Sequence, residues 1–335
     1  MKPRLGFLGT GWIGRHRLEA VARAGLAKIV ALAEPAPEIL AEAALLVPDA
    51  KRLTSMKELF GQELDGLIIA TPSAQHAEQT IAGLEAGCAV FCQKPLGRSG
   101  AEVRRIVESA RAADRLLGVD LSYRFTNGMQ KIRELIRGGE LGDVFAIDLV
   151  FHNAYGPDKP WFYDRRLSGG GCVIDLGIHL VDAALWATGE SVAHVSARLF
   201  SKGEMLTDGN DAVEDYAAVR LDLSGGAVAN LACSWRLHAG RDAVIEAAFF
   251  GTRGGAAMRN VRGSFFDFET VRFDGTKSEV LASPPEAWGG RAIVDWVEKL
   301  ARGQRYDPEI ERQFEVAETL DAIYGRTALM AAQGR

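Results

Sequence analysis

Short apolar segments alternate with amphipathic ones from residue 4 to residue 119, and this alternation restricts the fold more than any other feature. We predict strands at Arg4–Leu8, Lys28–Ala33, Lys51–Leu53, Asp65–Ala70, Ala89–Cys92 and Leu116–Val119. The segments between them predict helices near Ile13–Ala24, Pro37–Leu46, Ser73–Ala86 and Ser99–Ala113. Because parallel neighbouring strands need crossover helices, this order predicts a doubly wound parallel sheet covered on both faces.

The first predicted strand is followed directly by the glycine motif Gly9-Thr10-Gly11-Trp12-Ile13-Gly14. Such a motif is weak support by itself in a chain with 37 glycines, but here it joins a strand to a helix. Gly9 would permit the turn, Gly11 would let a pyrophosphate approach the backbone, and Gly14 would let helix pack on strand. We predict that this motif, including Trp12 and Ile13, binds a dinucleotide.

Glu34 ends the second predicted strand, where an acidic residue binds the adenosine ribose hydroxyls in dinucleotide-binding domains. The alternative is a solvated loop acid. Pro35 rather than a basic residue follows it, which favours NAD over NADP, whereas the basic Arg15 near the glycine motif argues the other way. We predict NAD as the cofactor, with NADP less favoured.

Polar residues also follow the fourth and fifth predicted strands. In open parallel sheets ligands bind at the carboxyl ends of the strands, which predicts further cofactor contacts there. These are Thr71, Pro72 and His76 from the segment TPSAQH, and Gln93 and Lys94 before Pro95. The alternatives are that Ser73 in this segment only caps a helix and that Lys94 is an exposed loop lysine.

The stretch Ser168–Asp182, SGGGCVIDLGIHLVD, places a run of glycines before an apolar helical pattern. Asp175, His179 and Asp182 lie at i, i+4 and i+7, so a helix would put them on one face. Their neighbours are apolar, and a polar stripe on a buried helix is costly unless it is used. Asp175 and His179 are therefore candidate catalytic residues. The alternative is a capping aspartate with a hydrogen-bonded core histidine.

The pattern changes from Tyr123 onward, which predicts an N-terminal domain at 1–121 and an α+β domain at 122–335. We predict helices at Asn127–Arg137, Trp288–Leu300 and Pro308–Met330, and strands at Val144–Phe151, Val192–Phe200, Tyr216–Leu223, Ala227–Trp235, Ala243–Phe250 and Phe265–Phe273. Consecutive strands without helices predict a large, open, mostly antiparallel sheet. One sheet face would pack on the central helix. The other lacks helices to cover it, so we predict a homodimer or homotetramer formed through this sheet.

The order of these motifs resembles the Gfo/Idh/MocA oxidoreductases, the family of glucose–fructose oxidoreductase and inositol dehydrogenase. The resemblance covers nearly the whole chain and is carried by GTGWIG, Glu34, TPSAQH, Lys94-Pro95, GELGD at Gly139–Asp143, and GGGCVIDLGIH with Asp182. It implies that Lys94 meets Asp175 and His179 at the nicotinamide and that the Lys94–Pro95 bond is cis. Gln93 stands where the family usually has glutamate, although a glutamine can still hydrogen-bond a ribose hydroxyl.

The resemblance implies an NAD(P)-dependent dehydrogenase that acts on CH–OH groups of sugars, inositols or related polyols. The nicotinamide would accept the hydride, which leaves positioning and the proton path to the protein. His179 suits the base because imidazole titrates near neutral pH. Asp175 would orient it or the substrate, and Lys94 would stabilise negative charge on the reacting oxygen.

Substrate-binding candidates follow from loop or strand-end positions and from the catalytic assignment. They are Lys94, Tyr123, Arg124, His152, Asn153, Trp161, Asp175, His179, Trp235, Arg236 and His238. An indole such as that of Trp161 or Trp235 could stack on a sugar face, and the alternative for either ring is a place in the core.

Composition and charge point away from several other classes of protein. A net charge of −5 gives no reason to expect a nucleic-acid partner, and no apolar run approaches the ~20 residues of a membrane span. The chain enters a strand pattern almost at once, so we expect no signal peptide. Four cysteines without CxxC spacing predict reduced core thiols and a cytoplasmic protein.

Three alternative functions stay open. An NAD-dependent glycosidase acting by transient oxidation would keep the same lysine and histidine. A non-catalytic NAD-binding regulator would be expected to have lost Lys94 or His179. A metal enzyme would need Asp175, His179 and Asp182 to converge on one ion, and we predict no metal.

Overall fold

The computed structural model describes residues 2–207 and 212–326. The chain forms two compact units, one of residues 1–122 and 290–314 and the other of residues 123–289 and 315–335. The C-terminal domain predicted as 122–335 is therefore interrupted, because residues 290–314 return to the first unit. Trp296 anchors this return by packing against Phe91, with 5.7 Å between ring centroids.

The first unit is built on a six-stranded parallel sheet with the order β3-β2-β1-β4-β5-β6. Its strands are β1 (Arg4–Leu8), β2 (Lys28–Ala33), β3 (Lys51–Leu53), β4 (Gly66–Ile69), β5 (Ala89–Cys92) and β6 (Leu117–Val119). Its helices are α1 (Trp12–Ala24), α2 (Pro37–Ala44), α3 (Met56–Phe60), α4 (Ser73–Glu85) and α5 (Gly100–Ala113). The predicted doubly wound parallel sheet is confirmed. Helix α3 escaped prediction because five residues are too few to establish a helical period.

The strand order reverses between β1 and β4, which are neighbours in the sheet although β2 and β3 separate them in sequence. A crevice opens at the carboxyl ends of the strands at such a switch point, and ligands bind there. The glycine motif follows β1 at this edge.

The second unit is built on a nine-stranded sheet with the order β15-β14-β13-β12-β7-β11-β10-β8-β9. Its strands are β7 (Val144–Asn153), β8 (Val192–Ser201), β9 (Glu204–Met205), β10 (Tyr216–Leu223), β11 (Val228–Ser234), β12 (Ala243–Gly251), β13 (Gly255–Asn260), β14 (Phe268–Asp274) and β15 (Lys277–Ala282). The pairing is antiparallel except between β7 and β11, which confirms the predicted mostly antiparallel sheet. Strands β9, β13 and β15 escaped prediction, since β13 is rich in small residues and β9 and β15 lie at the sheet edges.

Two helices lie against this sheet, α6 (Asn127–Arg137) and α8 (Ile178–Thr188). The short helix α7 (Arg165–Ser168) lies between them in sequence. Helix α8 contacts α6, β7 and β11. The helical run Arg165–Thr188 is long and apolar enough for a membrane span by length and composition, but 89% of its most apolar window is buried inside the protein. Its apolar character is accounted for by the core.

The segment before α8 is not the regular helix that the sequence predicts. Val173–Gly177 forms a π-helix, in which the Ile178 N–H bonds to the carbonyl of Val173, five residues back. Isolated π segments of this kind are frequent at functional sites.

The chain ends with helices α9 (Arg291–Ala301) and α10 (Arg312–Ile323), the second preceded by a 3-10 turn at Pro308–Glu311. Residues 327–330 of the predicted Pro308–Met330 helix lie outside the described residues.

Candidate functional site

The glycine motif after β1 has the backbone geometry that a dinucleotide needs. Gly9 has φ +85°, and an added Cβ there would lie 2.6 Å from the Ala70 carbonyl oxygen. At Gly14 an added Cβ would lie 2.3 Å from the carbonyl oxygen of Gly9. At Gly11, by contrast, an added Cβ meets nothing within 4 Å, so this backbone faces open space. The turn is tight where the protein packs on itself and open where a pyrophosphate would approach.

Glu34 lies beside this turn. One of its carboxylate oxygens accepts the Thr10 N–H at 3.0 Å and the other accepts the Ala36 N–H at 3.2 Å. Arg15, the residue that argued for NADP, forms an ion pair with Glu42. An acidic side chain at this position favours a ribose diol over a ribose 2′-phosphate, and these residues therefore fit NAD.

Trp12 stands at the first turn of α1, and its side chain is 62% exposed. Its ring meets that of His16 edge to face, with 4.6 Å between centroids. Ile13 beside it is half-buried.

His76 joins the ends of β4 and β5. Its Nδ1 lies 2.7 Å from the Pro95 carbonyl oxygen and its Nε2 lies 2.7 Å from the Thr71 carbonyl oxygen. The ring is buried, and burial lowers the pKa of His76. The Lys94–Pro95 bond is cis, as the resemblance implies. His76 thus connects the two loops that carry the predicted cofactor contacts. Pro72 occupies the N-cap position of α4 without a side-chain hydrogen bond, and Ser73 is the first residue of the helix rather than its cap.

Gln93 belongs to a buried polar network that the sequence alone did not reveal. Its side-chain amide donates to the carboxylate of Asp120, which also pairs with Arg17. Ser122 donates to the same carboxylate and accepts from Arg17 at 3.0 Å. A glutamate at position 93 would place a second carboxylate against Asp120, whereas the glutamine amide donates to it. The one feature of the sequence that could have indicated this network is the position of Asp120, directly after β6 at the carboxyl edge of the sheet.

In the second unit, the structure brings Tyr123, Asp175 and His179 together. Asp175 and His179 are half-buried within a helical segment whose neighbouring residues are buried. The ring of His179 lies 4.9 Å from that of Tyr123, centroid to centroid. Burial and, secondarily, the charge of Asp175 raise the pKa of Tyr123. Like any tyrosine hydroxyl, it is protonated at neutral pH and can donate a hydrogen bond.

The start of this helical segment is held by Glu214, a buried residue that sequence reasoning missed. Its Oε1 accepts the N–H of Gly171 at 2.8 Å, the N–H of Val173 at 3.0 Å and the hydroxyl of Tyr324 at 2.7 Å. Burial raises the pKa of Glu214, and the hydrogen bonds from Val173 and Tyr324 oppose that shift.

Glu214 and Tyr324 also explain the glycine run. A Cβ at Gly171 would lie 1.9 Å from the Glu214 carbonyl oxygen, and one at Gly170 would lie 2.0 Å from the Tyr324 hydroxyl. The glycines therefore allow close approach of Glu214 and Tyr324. No local sequence pattern around Glu214 indicates this role.

Asp182 does not share an open polar face with Asp175 and His179. It is buried and forms two hydrogen bonds with the guanidinium of Arg124, one of them 2.7 Å from Nε to Oδ2. Asp182 is therefore buried and paired with Arg124, whereas Asp175 and His179 are half-buried. Within residues 2–207 and 212–326, no group of three or more His, Cys, Asp or Glu side chains is arranged to hold a metal ion.

The remaining substrate candidates lie in different surroundings. The Nδ1 of His152 is 2.8 Å from the Ser234 hydroxyl, and burial lowers the pKa of His152. Trp161 stacks on Phe162 with 3.8 Å between ring centroids. Trp235 is buried, and its indole N–H donates to Asp175 at 3.0 Å. Trp235 is therefore a neighbour of Asp175 inside the protein rather than an open stacking surface.

The fold and the glycine turn define a protein with a dinucleotide-binding Rossmann domain and an α+β domain. Residues 4–121 match the model of an oxidoreductase family with an NAD-binding Rossmann fold, and residues 129–257 match the model of the GFO/IDH/MocA C-terminal domain. The chain belongs to the Gfo/Idh/MocA family. The predicted family, NAD as cofactor and enzyme class of NAD-dependent oxidoreductase are confirmed.

Curated relatives agree with this assignment. The chain is 30% identical over 265 residues to inositol 2-dehydrogenase of Rhizobium meliloti (strain 1021), covering 78% of this chain and 77% of that protein. It is 30% identical over 211 residues to D-glucoside 3-dehydrogenase of Escherichia coli (strain K12), where the match spans 60% of each protein.

Solved structures show the same fold. Levoglucosan dehydrogenase in complex with NADH superimposes with a TM-score of 0.85 at 22% identity, covering 97% of both chains. Aldose-aldose oxidoreductase from Caulobacter crescentus, complexed with glycerol, superimposes with a TM-score of 0.84 at 22% identity, covering 100% of this chain and 99% of that one.

Proposed function

We propose that this protein is an NAD-dependent dehydrogenase that oxidises a CH–OH group of a sugar, an inositol or a related polyol. The observation that carries the proposal is the half-buried cluster of Tyr123, Asp175 and His179 in a chain with an NAD-binding domain. The names of the curated relatives, inositol 2-dehydrogenase and D-glucoside 3-dehydrogenase, support this substrate class.

The proposed mechanism assigns one task to each side chain. Bound NAD supplies the acceptor for the hydride that leaves the carbon. His179 takes the hydroxyl proton as the C–O bond becomes a carbonyl, and Asp175 orients His179 or the substrate. The ammonium of Lys94 stabilises negative charge that develops on the oxygen. The protonated hydroxyl of Tyr123 donates a hydrogen bond to the substrate.

A substrate panel tests this function. Purified protein is mixed with NAD and single sugars, inositols or polyols, and NADH is followed by absorbance. His179→Gln should lower kcat ~10²–10⁴-fold, the usual contribution of a positioned general base, while NAD binding persists. His194→Gln, at an exposed position in β8, should keep wild-type kcat. Wild-type turnover in folded His179→Gln would contradict the assignment.

The same assay separates the alternatives. A glycosidase acting by transient oxidation would release free sugar from a glycoside without net NADH. A regulator would bind NAD without turning over any substrate. A metal enzyme would lose its activity in a chelator.

We also propose that the protein forms a homodimer or homotetramer through the outer face of the nine-stranded sheet. Buried and more exposed residues alternate along β7, which gives the sheet an inner and an outer face. The outer face mixes small apolar residues with Asp148, Arg198, Arg220 and Asn230. Shape and paired charges, rather than a uniformly apolar surface, would direct this association. A cytoplasmic location stays a prediction.

A further inference from the structure

We propose that Trp235 is a positioning residue whose indole N–H fixes the orientation of the Asp175 carboxylate at the active site. The part of this inference that concerns turnover rests on the proposed function of Asp175. The hydrogen bond itself does not, and it can be tested separately.

The contact is a charge-assisted hydrogen bond inside the protein. The Trp235 Nε1 lies 3.0 Å from Oδ2 of Asp175, and the indole is 3% exposed. An indole can only donate, so it fixes one oxygen of the Asp175 carboxylate. Phenylalanine would fill most of the same volume without a donor. The hydrogen bond, rather than the bulk of the ring, is therefore the feature that distinguishes tryptophan here.

The backbone at Trp235 is fixed on both sides. The N–H of Trp235 donates to the Asp215 carbonyl at 2.7 Å, directly after the end of β11. The next residue, Arg236, has φ +58°, a left-handed conformation that is uncommon for a residue other than glycine. Backbone conformations of this kind persist where the surrounding structure determines them, and they cluster at functional sites.

The loop between β7 and α7 holds the other side of the indole. Tyr163 meets the Trp235 ring edge to face, with 5.6 Å between centroids, and Phe162 does so at 6.3 Å. Arg236 lies over the Tyr163 ring at 5.1 Å and donates to its hydroxyl at 3.1 Å. These contacts connect the aromatic loop to Asp175 through Trp235, and they leave the indole little freedom to rotate.

Kinetics of four variants test the positioning role. Trp235→Phe should lower kcat about tenfold, near the lower end of what a hydrogen bond to a charged group contributes, with the NAD dissociation constant unchanged. The primary deuterium isotope effect on kcat should rise, because the chemical step becomes slower. In an Asp175→Ala background, Trp235→Phe should change kcat less than twofold, since the group that it positions is gone.

Trp296→Phe is the matched control. Trp296 is also buried, but in the described part of the chain its indole nitrogen has no hydrogen-bond partner. The same substitution there deletes no hydrogen bond and should leave kcat and the isotope effect unchanged. An equal loss from Trp235→Phe with and without the Asp175 carboxylate would overturn the proposal.

Indole N–H resonances test the contact without any substrate. In protein labelled with ¹⁵N at its six tryptophans, the resonance lost in Trp235→Phe identifies Trp235. In Asp175→Ala this resonance should move upfield and exchange faster with water, while that of Trp296 stays in place. An unmoved Trp235 resonance overturns the inference. A wild-type protein that reduces no NAD with any polyol overturns the proposed function instead.

Discussion

Replacing Glu214 with alanine should destabilise the start of the helical segment that carries Asp175 and His179. The variant removes the acceptor of two backbone N–H groups, those of Gly171 and Val173, and of the Tyr324 hydroxyl. All three donors lie in a buried environment, so they have no ready substitute for the lost oxygen.

The expected cost follows from these three donors. A buried donor left without its partner costs about 1–3 kcal/mol. The alanine variant no longer buries a carboxylate, whose pKa is raised by burial, and this gain offsets part of the cost. We expect Glu214→Ala to lower the free energy of unfolding by about 3–6 kcal/mol, a large share of the ~5–15 kcal/mol typical of a folded protein. The value of kcat should fall as well, because the start of the segment loses its fixed position.

Guanidinium unfolding followed by tryptophan fluorescence measures this change. The matched control is Glu190→Ala, since Glu190 also accepts a backbone N–H, from Gly225 at 2.7 Å, but at an exposed hairpin. The control should cost less than about 1 kcal/mol, because water replaces an exposed acceptor. A loss in Glu214→Ala as small as in the control would refute the reasoning.

Glu214→Gln gives the pH dependence of the same site. Oε1 accepts all three hydrogen bonds, and the Gly171 N–H is shared with Oε2 at 2.9 Å. A glutamine can therefore keep the Oε1 acceptor and loses only the second contact to Gly171. Because burial raises the pKa of Glu214 in the folded state, the stability contributed by its protonated form is present at acid pH and is lost as pH rises through that pKa. Glutamine does not titrate, so the stability difference between wild type and Glu214→Gln should be most favourable to wild type at acid pH and should shrink as pH rises.

The remaining predictions concern the cofactor, the catalytic lysine and assembly. Glu34→Ala should weaken NAD binding and reduce the preference for NAD over NADP, as measured by titration calorimetry. Comparable affinities of the wild-type protein for both cofactors would contradict the assignment. Lys94→Met should lower kcat while NAD binding persists, and combined with His179→Gln it should lose less than the product of the single effects. Sedimentation should show a dimer or tetramer. Arg220→Glu should weaken it, since this change places an acidic side chain beside Asp222 on the face proposed for the interface. A wild-type monomer at micromolar concentration would refute the assembly.

Local pattern was sufficient for the architecture of the first unit. The strand predictions agree with the observed strands to within one residue at each end, because a buried parallel strand is a short apolar run between polar turns. The glycine motif could also be interpreted from sequence, since Gly9 and Gly14 meet backbone requirements within the motif or at the neighbouring strand. In the second unit, strands of small or exposed residues carried too weak a pattern to be predicted.

Sequence by itself therefore determined the fold class, the NAD-binding turn and the candidate residues Lys94, Asp175 and His179. Only the tertiary structure decided what holds them. Glu214 meets Gly171 across 43 residues of sequence, and Trp235 meets Asp175 across 60. The segment between these contacts, Val173–Gly177, forms a π-helix where the local pattern predicts a regular helix. Hydrogen bonds of this kind depend on how elements far apart in the chain pack together, and no local spacing encodes that packing.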